Sequence, residues 1–285
     1  MTAPISMEYA APPAEMQRWI SSLYRLHQES PTFEEVERAD RPQLRVMLRG
    51  GGEYRFANGH VDPARPVTLI GPTSGAITDS GFGPMYVVGA GLHPTAWTAL
   101  TGLDAEQSLD RAFDGREIFG NAAQILFDAI DAESETAPIF KLLCDFVAAQ
   151  TAARGKVMPH DFIAIMDAWL AENDDAEVAD LVARTGLSPR QVERLSKRFY
   201  GLPPKSLLRK YRALHAAAAL ARGEDISANG MASQFYDQSH LIRELKRFAG
   251  LTPEQIKARQ SELLIAISEG RKSLTGQVDV LVSNA

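Results

Sequence analysis

Two short stretches concentrate guanidinium and ammonium groups at helical spacing. In SPRQVERLSKRFY, residues 188–200, Val192, Leu195 and Phe199 recur three or four apart, and Arg190, Gln191, Arg194, Lys197 and Arg198 occupy the rest of the surface. In FYDQSHLIRELKRF, residues 235–248, Leu241, Leu245 and Phe248 face one way, while Gln238, Ser239, His240, Arg243, Lys246 and Arg247 face the other. The chemistry open to such helices is contact with a polyanion. An arginine fork can pair with O6 and N7 of a guanine, and lysine or arginine can hold phosphate oxygens. The competing reading is an ordinary helical hairpin with a solvated cationic face. Charge partition speaks for the first. The chain has a net charge of −6, yet residues 184–260 hold 15 Lys+Arg against 6 Asp+Glu, a net of +9, leaving 15 against 30 elsewhere. Phosphate binding depends on local cation density and not on the average over the chain.

The elements that must position these cations are marked by caps. Asp174 with Glu177 reads as a capping box that opens a helix, and Gly186 fits the left-handed residue that closes it. Ser188, Pro189 and Gln191 then supply an N-cap, a first-turn proline and a second capping box, so a new helix starts within three residues. That punctuation is a helix-turn-helix. Asp237 is the N-cap candidate of the later cationic helix, and Gly250 ends it. Between the two lies PPKSLLRKYRALHAAAALARG, with Leu207, Tyr211, Leu214, Ala218 and Ala221 on one stripe and Gly223 at its end. A helix of about 20 residues spans ~30 Å, close to the ~34 Å between successive major-groove faces of one turn of DNA.

DQSHL followed by R, KR, G and TP resembles the signature that ends regulators of the AraC/XylS family, and RTGLSPRQVERLSKRFYGLPPKSLLRKYR resembles its partner. The likeness covers roughly residues 159–259. It implies a double helix-turn-helix whose second helices enter adjacent major-groove segments of double-stranded DNA. It also implies base-reading roles for Arg190, Glu193 and Arg194 and for Gln238, Ser239, His240, Ile242 and Arg243. Lys197, Arg198, Lys246 and Arg247 become phosphate clamps. One departure stands out: DISANGMASQF, the first helix of the second unit, carries Asn229-Gly230 at its middle, and Gln234 replaces the family's turn glycine. A mid-helix glycine costs ~1 kcal/mol and a non-glycine left-handed residue about as much, so a loosely formed second unit is expected.

Upstream, glycines and prolines cut residues 41–91 into short runs that read as strands in hairpins, with Gly50-Gly51-Gly52 as a turn. In LRVML, Leu44, Val46 and Leu48 alternate with Arg45, Met47 and Arg49, which places the two sets on opposite sheet faces. After His93 the spacing becomes helical, with Ile118, Ala122, Ile125 and Ala129 on one stripe and Ile139, Leu142, Phe146 and Ala149 on another. RVMLRGGGEYRF, LIGPTSG and VVGAGLHPTAW resemble the incomplete β-barrel sensor domains that precede such modules, which implies ligand sensing or dimerisation, and the paired stripes on the helices after Glu117 point to a homodimer. Arg45, Arg49 and Trp97 are the candidates to line a pocket for an acidic or aromatic effector. The alternative is solvent-facing arginines and a core tryptophan.

Domains are therefore expected at 1–155 (sensor and dimerisation), 156–262 (DNA binding) and 263–285 (tail), a multidomain α and β fold. No run of eighteen apolar residues and no signal-type leader occurs, which points to the cytoplasm. RNA polymerase is a further partner if the chain activates transcription. No metal or cofactor is called for: His60 and His93 lack the spacing of cupin-type metal sites. Two other classes compete. One is an adaptor that keeps the fold without binding DNA. The other is an enzyme fused to the module, as in alkyl-transfer repair proteins, for which Cys144, the sole cysteine, is the one nucleophile candidate.

Overall fold

The computed structural model describes residues 5–154, 160–172 and 177–284. The first half is an antiparallel sheet of eight strands: β1 (Ile5–Ala10), β2 (Ile20–Gln28), β3 (Thr32–Glu37), β4 (Gln43–Arg55), β5 (Val61–Pro63), β6 (Val67–Ile70), β7 (Ile77–Leu92) and β8 (Ala112–Asp114). The order is β1-β2-β7-β4-β6-β8, with β3 beside β7 and β5 beside β4. It is an open sheet and not a closed barrel. The long strands β4 and β7 form its spine. The first half of β7 pairs with β3 and the second half with β2.

The glycines at 50–52 do not turn the chain. Strand β4 runs through them with register shifts, and they lie against β7. A Cβ on Gly52 would come within 2.1 Å of the Ser80 carbonyl oxygen, so glycine is there to let two strands approach. The alternation in LRVML holds. Leu44 and Val46 enter the core with Trp97, while Arg45 and Met47 face the other side, and that side too is covered.

Four helices complete this half: α1 (Pro94–Thr101), α2 (Gly115–Phe119), α3 (Asn121–Ala129) and α4 (Thr136–Arg154). Ile139 and Phe146 of α4 are buried with the sheet core, whereas Ile125 and Ala129 of α3 point outward. The domain boundary expected at Gly155 lies outside the described residues.

From residue 160 the chain is helical: α5 (His160–Ala171), α6 (Val178–Thr185), α7 (Pro189–Tyr200), α8 (Pro204–Ala221), α9 (Gln238–Phe248) and α10 (Pro253–Lys257). They share one core around Trp169, Val192, Phe199, Leu214, Leu245 and Phe248. The expected tail is structured. Helix α11 (Glu262–Ser273) returns to the sheet and α12 (Val280–Ser283) packs on α5. No helix among the described residues is long and apolar enough to cross a membrane.

Candidate nucleic-acid interface

The first unit is built as its caps dictate. Helix α6 is capped by Glu177, whose backbone N–H reaches Asp180 Oδ2 at 3.4 Å, and Gly186 closes it at φ 64°. The capping partner of Glu177 is thus Asp180; Asp174 lies outside the described residues. On α7 the Ser188 hydroxyl accepts from the Gln191 N–H at 3.4 Å, and Gln191 Oε1 accepts from the Ser188 N–H at 3.0 Å. Gln191 therefore serves its own helix start. Buried Val192 and Phe199 hold α7 to the core, leaving Arg190, Glu193, Arg194 and Arg198 exposed. Glu193 lies one turn before Lys197 and pairs with it at 3.0 Å.

The second unit departs from a helix-turn-helix where the sequence departs. Residues 226–229 form a turn, and only Met231–Gln234 is helical, as a 3-10 segment. Gly230 takes the left-handed conformation at φ 81°. Gln234 does not: Asp110 and Arg259 are the non-glycine residues of positive φ among those described. The chain reverses at Gly230, four residues earlier than the family pattern implies, so no turn glycine is missing at Gln234. Helix α9 is nonetheless well started, with the Asp237 carboxylate accepting from the His240 N–H at 2.6 Å. Gln238, Ser239, Arg243, Lys246 and Arg247 are exposed, and His240 and Ile242 are half-buried.

The two cationic helices ride on α8. Its 18 residues give a length of ~27 Å at 1.5 Å per residue. Buried Glu244 on α9 accepts from Arg209 on α8 at 2.6 and 2.9 Å, a bidentate pin that periodicity alone did not disclose. The C-terminal ends of both helices touch the sheet half. Arg198 donates to Asp104 at 3.1 Å, and Arg247 donates to the Ser74 carbonyl at 3.4 Å. Backbone bonds accompany them: the Ala105 N–H to the Arg198 carbonyl, and the Ala76 N–H to the Arg247 carbonyl. Two of the four expected phosphate clamps are thus engaged by the other half of the molecule.

Behind α8 lies a buried polar seam. Lys210 Nζ donates to the carbonyls of Asp40 (2.6 Å) and Thr73 (2.8 Å), and Arg41 donates to the Tyr211 hydroxyl at 3.1 Å and His93 Nδ1 at 2.9 Å. Tyr200 donates to Asp167, which faces Arg41 at 3.6 Å. Burial, reinforced by Arg41, pushes the His93 imidazole down to about 3, so it stays neutral and accepts. Unfolded, it takes up a proton near the ordinary histidine value of ~6.5, so its contribution is lost as pH falls from there toward its folded value. A His93→Gln variant keeps the acceptor at every pH. The parent is therefore expected to lose stability relative to that variant from pH 6.5 to 4, by up to ~1.4 kcal/mol per pH unit. Denaturant midpoints of both proteins across that range check this, and a pH-independent difference would contradict it.

The three expected effector contacts are not brought together. Trp97 is fully buried in the sheet core, and Arg49 is exposed and pairs with Glu133. Arg45 alone lines a cavity, on the sheet's other face, and its donors are taken by Glu37, Asp79, Tyr24 and Gln43. Cys144 is buried in α4, and burial pushes its thiol up to about 11, which disfavours the thiolate a nucleophile needs. Among the described residues no cluster of potential metal ligands occurs.

Residues 181–259 match the family described as a helix-turn-helix domain. Among curated proteins, the regulatory protein ada of Salmonella typhimurium is 28% identical over 166 residues, covering 53% of this chain and 47% of that protein. The chain thus spans about half the length of the curated relative it matches. The solved structure of ToxT from Vibrio cholerae covers 89% of this chain and 98% of its own, with a TM-score of 0.50 at 10% identity. That likeness gives the two-domain fold: a sheet domain followed by a helical domain. The AraC-like transcriptional activator CuxR covers 79% of this chain and 90% of its own, with a TM-score of 0.32 at 14% identity.

Proposed function

We propose that this chain, whose C-terminal region is a helix-turn-helix domain of the AraC type, is a sequence-specific DNA-binding regulator of transcription that reads two successive major-groove segments with α7 and α9. One observation carries the reading. Two exposed cationic helices, each started by its own side-chain cap, pack on a single helix, α8. Base reading falls to Arg190, Glu193 and Arg194 on α7 and to Gln238, Ser239, His240, Ile242 and Arg243 on α9. The adaptor reading would leave exposed Arg194 and Arg243 without purpose. Such a role places the chain in the cytoplasm, with RNA polymerase as a partner if it activates.

Gating has an obvious seat where Arg198 and Arg247 meet the sheet half, since an effector that moves the halves apart would free both cations for phosphate. A homodimer formed by the sheet domain belongs to the same proposal, with α3, on which Ile125 and Ala129 face outward, as its seat. Footprinting of duplexes selected from a random pool tests the whole. Each chain is expected to protect two major-groove segments about one turn apart on one face, and a dimer to protect two such pairs. Protection of a single segment would discard the double reading, and a single pair would discard the dimer.

A further inference from the structure

The cavity on the Arg45 face of the sheet is roofed by the chain's own helix α11. Leu263 and Ile267 of α11 pack, both buried, against Leu26, Met47, Met85 and Val87 of the sheet. Gly270 lets α11 lie flat on Tyr9, since a Cβ there would fall 2.2 Å from the ring. Arg271 reaches the polar end of the cavity and pairs with both carboxylate oxygens of buried Asp40. A cavity of about 40 Å³ remains beside the helix, room for roughly three waters. Ligand pockets run to roughly 300 Å³ and above, so nothing of effector size enters while α11 is seated. The joint before α11 is strained, with Arg259 held at φ 54°.

We propose that α11 is a built-in occupant of this cavity and that an amphiphilic cation, an alkyl or aryl body bearing a guanidinium or amine, displaces it. The body replaces Leu263 and Ile267 and the head replaces Arg271 on Asp40. The polar end selects for positive charge. Lifting Arg271 away removes the bidentate partner of Asp40, leaving Arg38 beside it at 3.6 Å without a hydrogen bond. Arg45 is already committed, its six bonds going to Glu37, Asp79, Tyr24 and Gln43, and an incoming carboxylate in place of Arg271 would meet Glu37 and Asp40. The exchange is felt by α8, because Lys210 holds the carbonyl of the same Asp40 and Arg41, the next residue, holds Tyr211. That last consequence rests on the DNA-binding reading; the displacement does not.

Hydrogen exchange of the full chain, with n-octylguanidinium as the probe and octanoate as the anionic control, both below their aggregation thresholds, tests the displacement. Exchange across residues 262–273 is expected to quicken at least tenfold with the cation and to stay unchanged with octanoate. Calorimetry of a Leu263→Ala/Ile267→Ala double variant should show octylguanidinium binding at least tenfold tighter than to the parent. An unchanged exchange rate in 262–273 at saturating probe, or equal binding of both probes, overturns the proposal, even if the double variant fails to fold. DNA affinity of the same parent samples is read separately. Displacement without any DNA binding overturns the regulatory reading alone, and intact DNA binding with an inert α11 overturns the displacement alone.

Discussion

Arg194→Ala is expected to weaken binding to a selected duplex by about 1 to 3 kcal/mol and to relax preference at one base pair, the range for a bidentate contact to guanine. Arg194 stands one turn beyond Arg190 on a helix whose start is closed by a reciprocal Ser188–Gln191 box and whose core side is fixed by Val192 and Phe199. Its scaffold is ordered before DNA arrives. Arg243 occupies the corresponding place on α9, but its unit lacks a full first helix, having a turn at 226–229 and a 3-10 segment at Met231–Gln234. Part of any contact it makes goes into ordering that segment, so Arg243→Ala is expected to cost less. Titration of both variants against one selected and one scrambled duplex at fixed salt checks this; equal losses would show the second unit to be as rigid as the first. Because Gly230 is the residue in the left-handed turn, restoring a glycine at Gln234 offers no gain there.

The second large effect belongs to Asp40. Its carboxylate is held well below the usual range by Arg271 and Arg38, against the opposing effect of burial. All three side chains are at least nine-tenths buried. Asp40→Ala would leave buried Arg38 and Arg271 without their shared counter-charge, and losing one partner of a buried pair costs about 3 to 5 kcal/mol. Global stability from denaturant unfolding is expected to fall by that amount. Adding Arg271→Met to the same variant should recover part of the loss, because it removes one of the stranded charges while keeping an apolar stem on the sheet. A loss below ~1 kcal/mol, the range of exposed pairs, would mean that water reaches the seam.

What the sequence disclosed was whatever is encoded locally. Caps, first-turn prolines and left-handed glycines act over three or four residues, so α6, α7 and α9 were legible from Gly186, Ser188, Pro189, Gln191 and Asp237. Alternation in LRVML likewise sorted Leu44 and Val46 from Arg45 and Met47. Pairings between distant residues were not legible. Asp40 and Arg271 are 231 positions apart, and no period links Glu244 to Arg209 or Arg198 to Asp104. The same gap explains Gly50-Gly51-Gly52, where three glycines signal a turn by composition but serve the close approach of β7. Gln234 differs for a related reason: a position in a family pattern does not fix the backbone conformation there, and in this chain Gly230 takes the left-handed conformation.

The measurement that bears most directly on the account is the salt dependence of DNA binding by the intact chain, which is acidic overall at −6 but basic over the proposed contact helices. Counterion release is local, and if six phosphates are neutralised the slope of log affinity against log salt is near −5, at ~0.9 per contact. The expected result is that slope on a scrambled duplex, with the selected duplex bound more tightly at every salt concentration. A slope near zero, or the same affinity for both duplexes, would contradict the central claim that α7 and α9 of this chain read DNA.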